Sequence, residues 1–176
     1  MTVINNIMKH LTLLSIIASI FSCMEPNTED IWTLNKIAQV DTEGYCRDVF
    51  ISGDSLFVAA GQAGIQLWDI STITAPTLIW SRSLSELGVN KEISQVEYEP
   101  SIKQLFALES NERPIHLDLS KGDTVSVVGQ FSSEKTKEFR VNTNNDTSFT
   151  MYAADNDDGL KITTFEYDSG FGLWFN

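Results

Sequence analysis

The chain has 176 residues, 42% of them hydrophobic and including ten phenylalanines and four tryptophans, so it can bury a sizeable core. Its 12 basic and 24 acidic residues give a formal net charge of −12. Because the acidic residues are spread along the chain, they argue against a nucleic-acid partner, whose phosphates need a basic face, and against an electrostatic grip on anionic lipid.

The first element is an apolar leader that ends in a cysteine. Leu11 to Phe21 is too short for a transmembrane helix but fits the hydrophobic region of a secretory signal. The run Ile20-Phe21-Ser22-Cys23 resembles the cleavage box of bacterial lipoproteins, in which the peptidase cuts before an acylated cysteine. We therefore predict a signal peptide over 1–22, a lipid on Cys23, and a lipid-anchored cell-envelope location, at the outer membrane or the cell surface. Ordinary secretion is the alternative.

A polar tether over 23–31 follows the leader and leads into a propeller-type domain over 32–176. The segment from Trp32 to Val40 has the pattern of a single strand. No preceding strand would accompany it, so it is predicted to be the outer strand of a blade whose other strands come from elsewhere.

A phrase of the sequence recurs about three times after this segment. The first copy runs from Gly44 to Trp80, a weaker copy covers Gln104 to Ser120, and a third covers Thr150 to Phe165. Two steps of roughly 47 residues superpose the copies and place Ala153-Ala154 on Ala59-Ala60. A period of this size is found in propeller blades and in arrays of helix pairs. Short apolar runs separated by Gly, Asp, Asn and Ser favour strands and hairpins. We therefore predict an all-β fold of four-stranded antiparallel blades at about 41–80, 92–130 and 138–176.

The first copy resembles the LVIVD repeat, a bacterial β-propeller repeat of extracellular and envelope proteins. The motifs that carry the resemblance are Arg47-Asp48-Val49, Gly53-Asp54, Phe57-Val58-Ala59, Gly64-Ile65, Trp68-Asp69-Ile70-Ser71 and Pro76-Thr77-Leu78-Ile79. The match is good over Gly44 to Trp80, fair in the third copy and poor in the second, where Arg113-Pro114 replaces the turn glycine. Aligning Asp118 with Asp69 forces a slip of one residue.

The strand pattern also predicts which side chains pack between blades. Alternate residues such as Phe57, Ala59, Ile65 and Leu67 should face a neighbouring blade, with Trp68 on the opposite face. The small residues of two pairs, Ala59-Ala60 and Ala153-Ala154, suit a place where blades crowd together. The stretch from Ser83 to Lys91 is interpreted as a long loop, although one helical turn would fit.

Three blades are fewer than the four to eight that normally close a propeller. The chain would then be the N-terminal part of a longer protein, pair with a second copy to close a ring, or form a small open stack. Association of the chain with further copies of itself, as a homo-oligomer, is therefore one expectation, because uncapped blade faces expose apolar surface and unpaired edges.

Few residues have the pattern of a chemical site. Cys46 is expected to be a buried, inert thiol. His116 is the single histidine after the leader, which excludes a zinc cluster built on histidines and leaves a catalytic triad without support. Asp155, Asp157 and Asp158 have calcium-type oxygen ligands but the wrong register for an EF-hand, so they are weak metal candidates, and a hairpin turn is the simpler interpretation. No cofactor is predicted.

Two classes of function fit these observations. The first is a non-catalytic module on a lipid anchor that binds or scaffolds a protein or a glycan. The second is a propeller-type hydrolase with a metal or a pair of carboxylates in its central channel. A single histidine and a degenerate second blade favour the first class, because propeller channels that perform chemistry are usually lined by His, Asp and Glu.

Overall fold

The computed structural model describes residues 34–122, 125–131 and 133–175. The chain divides into two compact units, Met1–Lys36 and Ile37–Asn176, and the elements below lie in the second. Its strands are β1 (Asp48–Ser52), β2 (Ser55–Ala59), β3 (Ile65–Asp69), β4 (Thr77–Arg82), β5 (Ile93–Glu99), β6 (Gln104–Glu109), β7 (Pro114–Asp118), β8 (Ser126–Gln130), β9 (Thr136–Asn145), β10 (Ser148–Asp155), β11 (Gly159–Asp168) and β12 (Leu173–Phe175). One short helix, α1 (Leu84–Leu87), joins β4 to β5.

The strands form three four-stranded antiparallel sheets, each made from consecutive strands. The orders are β1-β2-β3-β4, β5-β6-β7-β8 and β9-β10-β11-β12. The hairpin predicted at Gly53-Asp54 is present: Ser52 pairs with Ser55, and Gly53 has a φ of 57°, which glycine adopts without strain. The predicted fold class of four-stranded antiparallel blades is confirmed.

Two local predictions are wrong. The stretch interpreted as a loop contains α1, because Ser83 and Glu86 form a reciprocal capping box at its start and Gly88 ends it in the left-handed conformation. The predicted strand from Trp32 to Val40 does not form over the described residues 34–40, which carry no strand; Trp32 and Thr33 lie outside the described residues.

The sheets pack face to face through two apolar clusters on opposite sides of the second sheet. Between the first and second sheets the buried residues are Phe57, Ala59, Ile65, Leu67, Leu87, Val89, Ile93, Val96, Leu105, Ala107, Ile115 and Leu117. Between the second and third they are Ile102, Phe106, Leu108, Phe131, Phe139, Phe149, Met151, Ala153 and Phe165. The predicted inward set of the first blade is confirmed, and Trp68 is absent from the cluster on that face.

Strand parity corrects the predicted equivalence of the alanine pairs. Ala59 faces the second sheet from one side and Ala153 faces it from the other, so the two are not equivalent. The sheets align instead when the first residue of β2, Ser55, is matched with the first residue of β10, Ser148. In this alignment Tyr152 takes the position that Ala59 has in the first sheet. The prediction that Ala154 lies where blades crowd is wrong, because this residue is exposed.

Polar side chains of β5 link the second sheet to the edge strand β9 of the third. Gln95 donates from Nε2 to the carbonyl of Phe139 at 2.8 Å and accepts from its N–H at 3.1 Å. Two residues on, Glu97 Oε1 accepts from the N–H of Val141 at 2.9 Å. Alternate side chains of β5 therefore make the hydrogen bonds that a neighbouring strand would otherwise make to the backbone of β9.

Glu97 is the member of this row whose hydrogen bonding is incomplete. Its side chain is 8% exposed, and Oε2 has no hydrogen-bond partner in the described part of the chain. Burial raises the pKa of its carboxyl, and the negative charges of Glu99 and Asp48 add to that effect, while the Val141 N–H and the positive charge of Arg140 oppose it.

A local turn recurs at the ends of the third strands. The carboxylate of Asp69 accepts from the N–H of Ser71, and that of Asp118 accepts from the N–H of Ser120, each at 2.8 Å. This shared geometry supports the alignment of Asp118 with Asp69. In the third sheet, Asp168 makes the same contact with the Gly170 N–H at 2.7 Å.

Truncation of Phe57 tests the packing of the first two sheets. Phe57 is 2% exposed and its ring centroid lies 4.6 Å from that of Tyr98. We expect Phe57→Ala to lower the free energy of unfolding by about 3–5 kcal/mol, measured by chemical denaturation. The matched control is Phe171→Ala, at a side chain 75% exposed, which should change it by less than about 1 kcal/mol. Equal effects would contradict the packing.

The raised pKa of Glu97 predicts how stability varies with pH. A raised carboxyl pKa means that the folded state favours the proton, so this stabilisation is present below the ordinary pKa and is lost as pH rises through the raised value. We expect Glu97→Gln, which removes the charge and keeps the shape, to raise the Tm above that of the parent at neutral pH. The difference should shrink toward about pH 4.

Thermal unfolding at both pH values checks this prediction. Glu43→Gln, at an exposed position in the loop before β1, is the control and should follow the parent at each pH. A Tm gain for Glu97→Gln that is the same at both pH values would contradict the buried charge.

Candidate functional site

A groove lies between β8 and β12, the last strands of the second and third sheets. Its volume is about 400 Å³, within the range of roughly 300–1,000 Å³ typical of small-molecule sites. A neighbouring cavity of about 150 Å³ shares Val128 and Trp174 with it. We call the two together the outer groove. It is lined chiefly by Gln104, Asp118, Lys121, Val127, Val128, Asp146, Tyr167, Leu173 and Trp174.

One wall of the outer groove is built by a bulge in β8. His116 pairs with Gly129 and Leu117 pairs with Val127, so Val128 has no partner in the register. A residue inserted in this way bends the strand and increases its twist. The bulge places Val128 in the lining of both cavities.

The opposite wall is built by the return of the chain after β11. Asp168 holds this turn, because its carbonyl accepts from the N–H of Gly172 at 2.8 Å in addition to its side-chain contact with Gly170. The chain then pairs Trp174 with Tyr167. The local turn therefore brings two aromatic residues side by side on the groove.

Trp174 is anchored by other rings. Its ring centroid lies 5.0 Å from that of Phe149, 5.3 Å from that of Tyr167 and 6.0 Å from that of His116. Tilted and edge-on arrangements at these separations are favourable for aromatic pairs. The aromatic wall is thus held in place by the core between the second and third sheets.

A buried polar chain supports the floor of the groove. His116 Nε2 lies 2.6 Å from Gln104 Oε1, and Gln104 Nε2 donates to Asp118 Oδ1 at 2.9 Å. Burial lowers the pKa of His116 to about 4, so its ring is neutral at physiological pH. Burial opposes ionisation of Asp118, but hydrogen bonds from Ser120 and Gln104 and the charge of Lys121 hold its pKa below the usual value. Asp118 is therefore an anion at neutral pH.

Three further polar groups of the groove have no hydrogen-bond partner among the residues that the structure describes. The Asp146 carboxylate and the hydroxyls of Ser126 and Tyr167 line it and make no hydrogen bond with any described residue. Tyr167 and Asp146 reach the groove from β11 and from the turn between β9 and β10. The site thus combines aromatic rings, carboxylates and hydroxyls that can meet a ligand.

The predicted site residues lie elsewhere. Cys23 falls outside the described residues, so its lipidation stays a prediction. Asp155 is buried and accepts from Ser133 Oγ at 2.6 Å and from the Asp157 N–H at 2.9 Å. The carboxylate of Asp157 lies 2.6 Å from Lys135 Nζ, and that of Asp158 lies 2.7 Å from Lys161 Nζ.

The acidic turn therefore has protein partners for all three carboxylates. The hydrogen bond from the Ser133 hydroxyl is the main cause that holds the pKa of Asp155 well below its usual range. Hydrogen bonds from the backbone N–H groups of Asp157, Asp158 and Lys135 add to this effect. Across the described residues, no group of three His, Cys, Asp or Glu side chains is placed to hold a metal ion.

The expectation of a buried Cys46 is wrong. Its thiol is free and exposed, because it lies in the segment before β1 rather than within a strand. His116 is buried, as a ring that stacks on Phe106 with centroids 4.9 Å apart.

Sequence reasoning missed the outer groove as a site. In the sequence, Asp118 stands out only through its alignment with Asp69, and Tyr167 and Trp174 lie beyond the third copy, which covers Thr150 to Phe165. The available signal was the group of aromatic residues on both sides of the Asp168-Ser169-Gly170 turn, with Tyr167 before it and Phe171, Trp174 and Phe175 after it.

Comparison with known proteins agrees with the fold. Residues 43–82 match the model of the LVIVD repeat, which confirms the resemblance found in the first copy. No curated protein sequence matches the chain. In the described residues no helix is long and apolar enough to cross a membrane.

Two similar solved structures are β-propellers. Sqt1 of Saccharomyces cerevisiae is 12% identical, with a TM-score of 0.53 over 74% of this chain and 34% of that one. The periplasmic gluconolactonase PpgL of Pseudomonas aeruginosa is 11% identical, with a TM-score of 0.53 over 73% of this chain and 37% of that one. The chain spans about a third of the length of these structures. At such low identity the likeness concerns the fold alone.

Proposed function

We propose that this chain is a non-catalytic binding or scaffolding module of the cell envelope, held by a lipid on Cys23 and engaging its ligand in the outer groove. The observation that carries the proposal is that one cavity combines the aromatic rings of Tyr167 and Trp174 with polar groups, such as the Asp146 carboxylate, that have no hydrogen-bond partner among the described residues. Concave sites with a few convergent polar groups are the usual form of ligand sites.

Binding is favoured over hydrolysis by the state of the titratable groups. General acid–base catalysis needs a group whose pKa lies near the working pH. Burial removes His116 from that range, to a pKa of about 4, and hydrogen bonds hold Asp118 ionised. These groups suit recognition through fixed charges and hydrogen bonds.

A screen against immobilised glycans and peptides tests the binding function. We expect the purified protein to retain members of one class, and Tyr167→Ala to abolish that retention, because the substitution removes a ring and a hydroxyl from the groove. The matched control is Tyr45→Ala, at an exposed tyrosine before β1, which should bind as the parent does. Absence of any ligand, or equal binding by Tyr167→Ala, would contradict the proposal.

The lipid anchor is tested by labelling in a bacterial host. We expect the wild-type protein to sediment with membranes and to incorporate palmitate, because several acyl chains give a stable hold on a bilayer. Cys23→Ser should lose the label, whereas Cys46→Ser should keep it. A soluble wild-type protein cut elsewhere in the leader would refute the anchor.

Ring completion by a second copy is also proposed, on the basis of the third sheet's outer face. Thr150 and Tyr152 hold the positions at which Phe57 and Ala59 of the first sheet pack on the next sheet. Tyr152 is 39% and its cross-strand partner Ile162 is 59% exposed. An exposed apolar face of this kind favours packing against a blade of a second copy, and two copies together would supply about six blades.

Light scattering measures this association. We expect a dimer or larger species at micromolar concentration, and Ile162→Glu should shift it toward monomer because a charge would be buried in the contact. Ile73→Glu, at an exposed loop position, is the control. A parent that stays monomeric would overturn ring completion.

A further inference from the structure

The aromatic wall of the outer groove favours a ligand with C–H groups on a compact ring. The faces of Tyr and Trp rings carry partial negative charge and attract weakly positive hydrogens. Tyr167 and Trp174 lie beside each other at 5.3 Å, and Tyr167 is partly exposed. The aromatic edge of the groove therefore suits a ligand ring whose C–H groups stack against Tyr167 and Trp174.

The polar edge favours a ligand rich in hydroxyl groups. Carboxylates accept hydrogen bonds, and hydroxyl and ammonium groups can donate them. Asp118 and Asp146 supply the carboxylates, Lys121 the ammonium, and Tyr167 and Ser126 the hydroxyls. Two anions against one cation disfavour phosphorylated or otherwise polyanionic ligands, in keeping with the net charge of −12.

The strands that flank the groove disfavour an extended peptide. A peptide that adds to a sheet needs a regular strand edge. The bulge at Val128 interrupts β8, and bulges of this kind protect edges from pairing. The facing strand, β12, is only three residues long. A compact ligand that uses side-chain contacts fits this groove better.

We propose that the outer groove binds the pyranose rings of a neutral glycan, with a sugar ring against Tyr167 and Trp174 and its hydroxyls on Asp118, Asp146 and Lys121. This inference rests on the proposed binding function, since it names the ligand class of the same site. A cavity of about 400 Å³ accommodates one or two rings.

Titration followed by NMR tests the inference, with glucose, galactose, mannose, N-acetylglucosamine and their β-linked dimers as probes. We expect at least one probe to shift the indole N–H resonance of Trp174, assigned by comparison with Trp174→Phe. Asp146→Asn should weaken that binding by roughly tenfold, because it loses a charged acceptor. Tyr167→Phe should weaken it less than Tyr167→Ala, since the ring is kept.

The matched control is Asp54→Asn. Asp54 occupies the turn between the first two strands of the first sheet, as Asp146 does in the third, but it lies away from the groove. This variant should bind sugar as the parent does, and circular dichroism should show every variant folded.

Each remaining outcome counts against the glycan. Retention of peptides but no sugar, with loss in Tyr167→Ala, would refute the glycan and leave the proposed function standing. Sugar binding that Asp146→Asn and Tyr167→Ala both leave unchanged would refute the groove as its site. Failure to bind either class would refute both proposals.

Discussion

Burial of the second sheet on both faces is the constraint on which the described fold depends. All six residues of β6 are buried. Leu105 and Ala107 pack toward the first sheet, while Phe106 and Leu108 pack toward the third. A strand covered on both faces loses its alternation of apolar and polar residues, and it ties the outer sheets to a common centre.

The outer groove follows from the same packing. The third sheet packs on the second through the rings of Phe106, Phe149 and Phe165. Trp174 rests against this cluster at its margin, 5.0 Å from Phe149, where the last strands leave a cavity between them. The core therefore holds the aromatic wall in place, and preorganisation of this kind lowers the entropy lost on binding.

Polar contacts across the sheets add direction to an otherwise apolar interface. Gln95 satisfies both backbone groups of Phe139, which fixes the position of β9 relative to β5. Glu97 accepts from the N–H of Val141, and its other carboxylate oxygen is buried without a hydrogen-bond partner among the described residues. A buried polar atom without a partner destabilises the fold. We therefore infer that Gln95 and Glu97 fix the register of β9 against β5 rather than add stability.

The sequence by itself determined the all-β class, the LVIVD repeat and the inward set of the first blade, because alternation of apolar residues and turn glycines are local signals. The alignment of Asp118 with Asp69, which the sequence allowed only with a slip of one residue, is supported by the turn contact that each of them makes. The equivalence of Ala59 and Ala153 failed, since a slip of one residue in a strand moves a side chain to the other face. The exposure of Cys46, the helix α1 and the outer groove were decided only by the tertiary structure. The groove brings Gln104 and Asp118, which are cross-strand partners in the second sheet, together with Trp174 of the third. The proximity of Trp174 to the other two depends on how the two sheets pack.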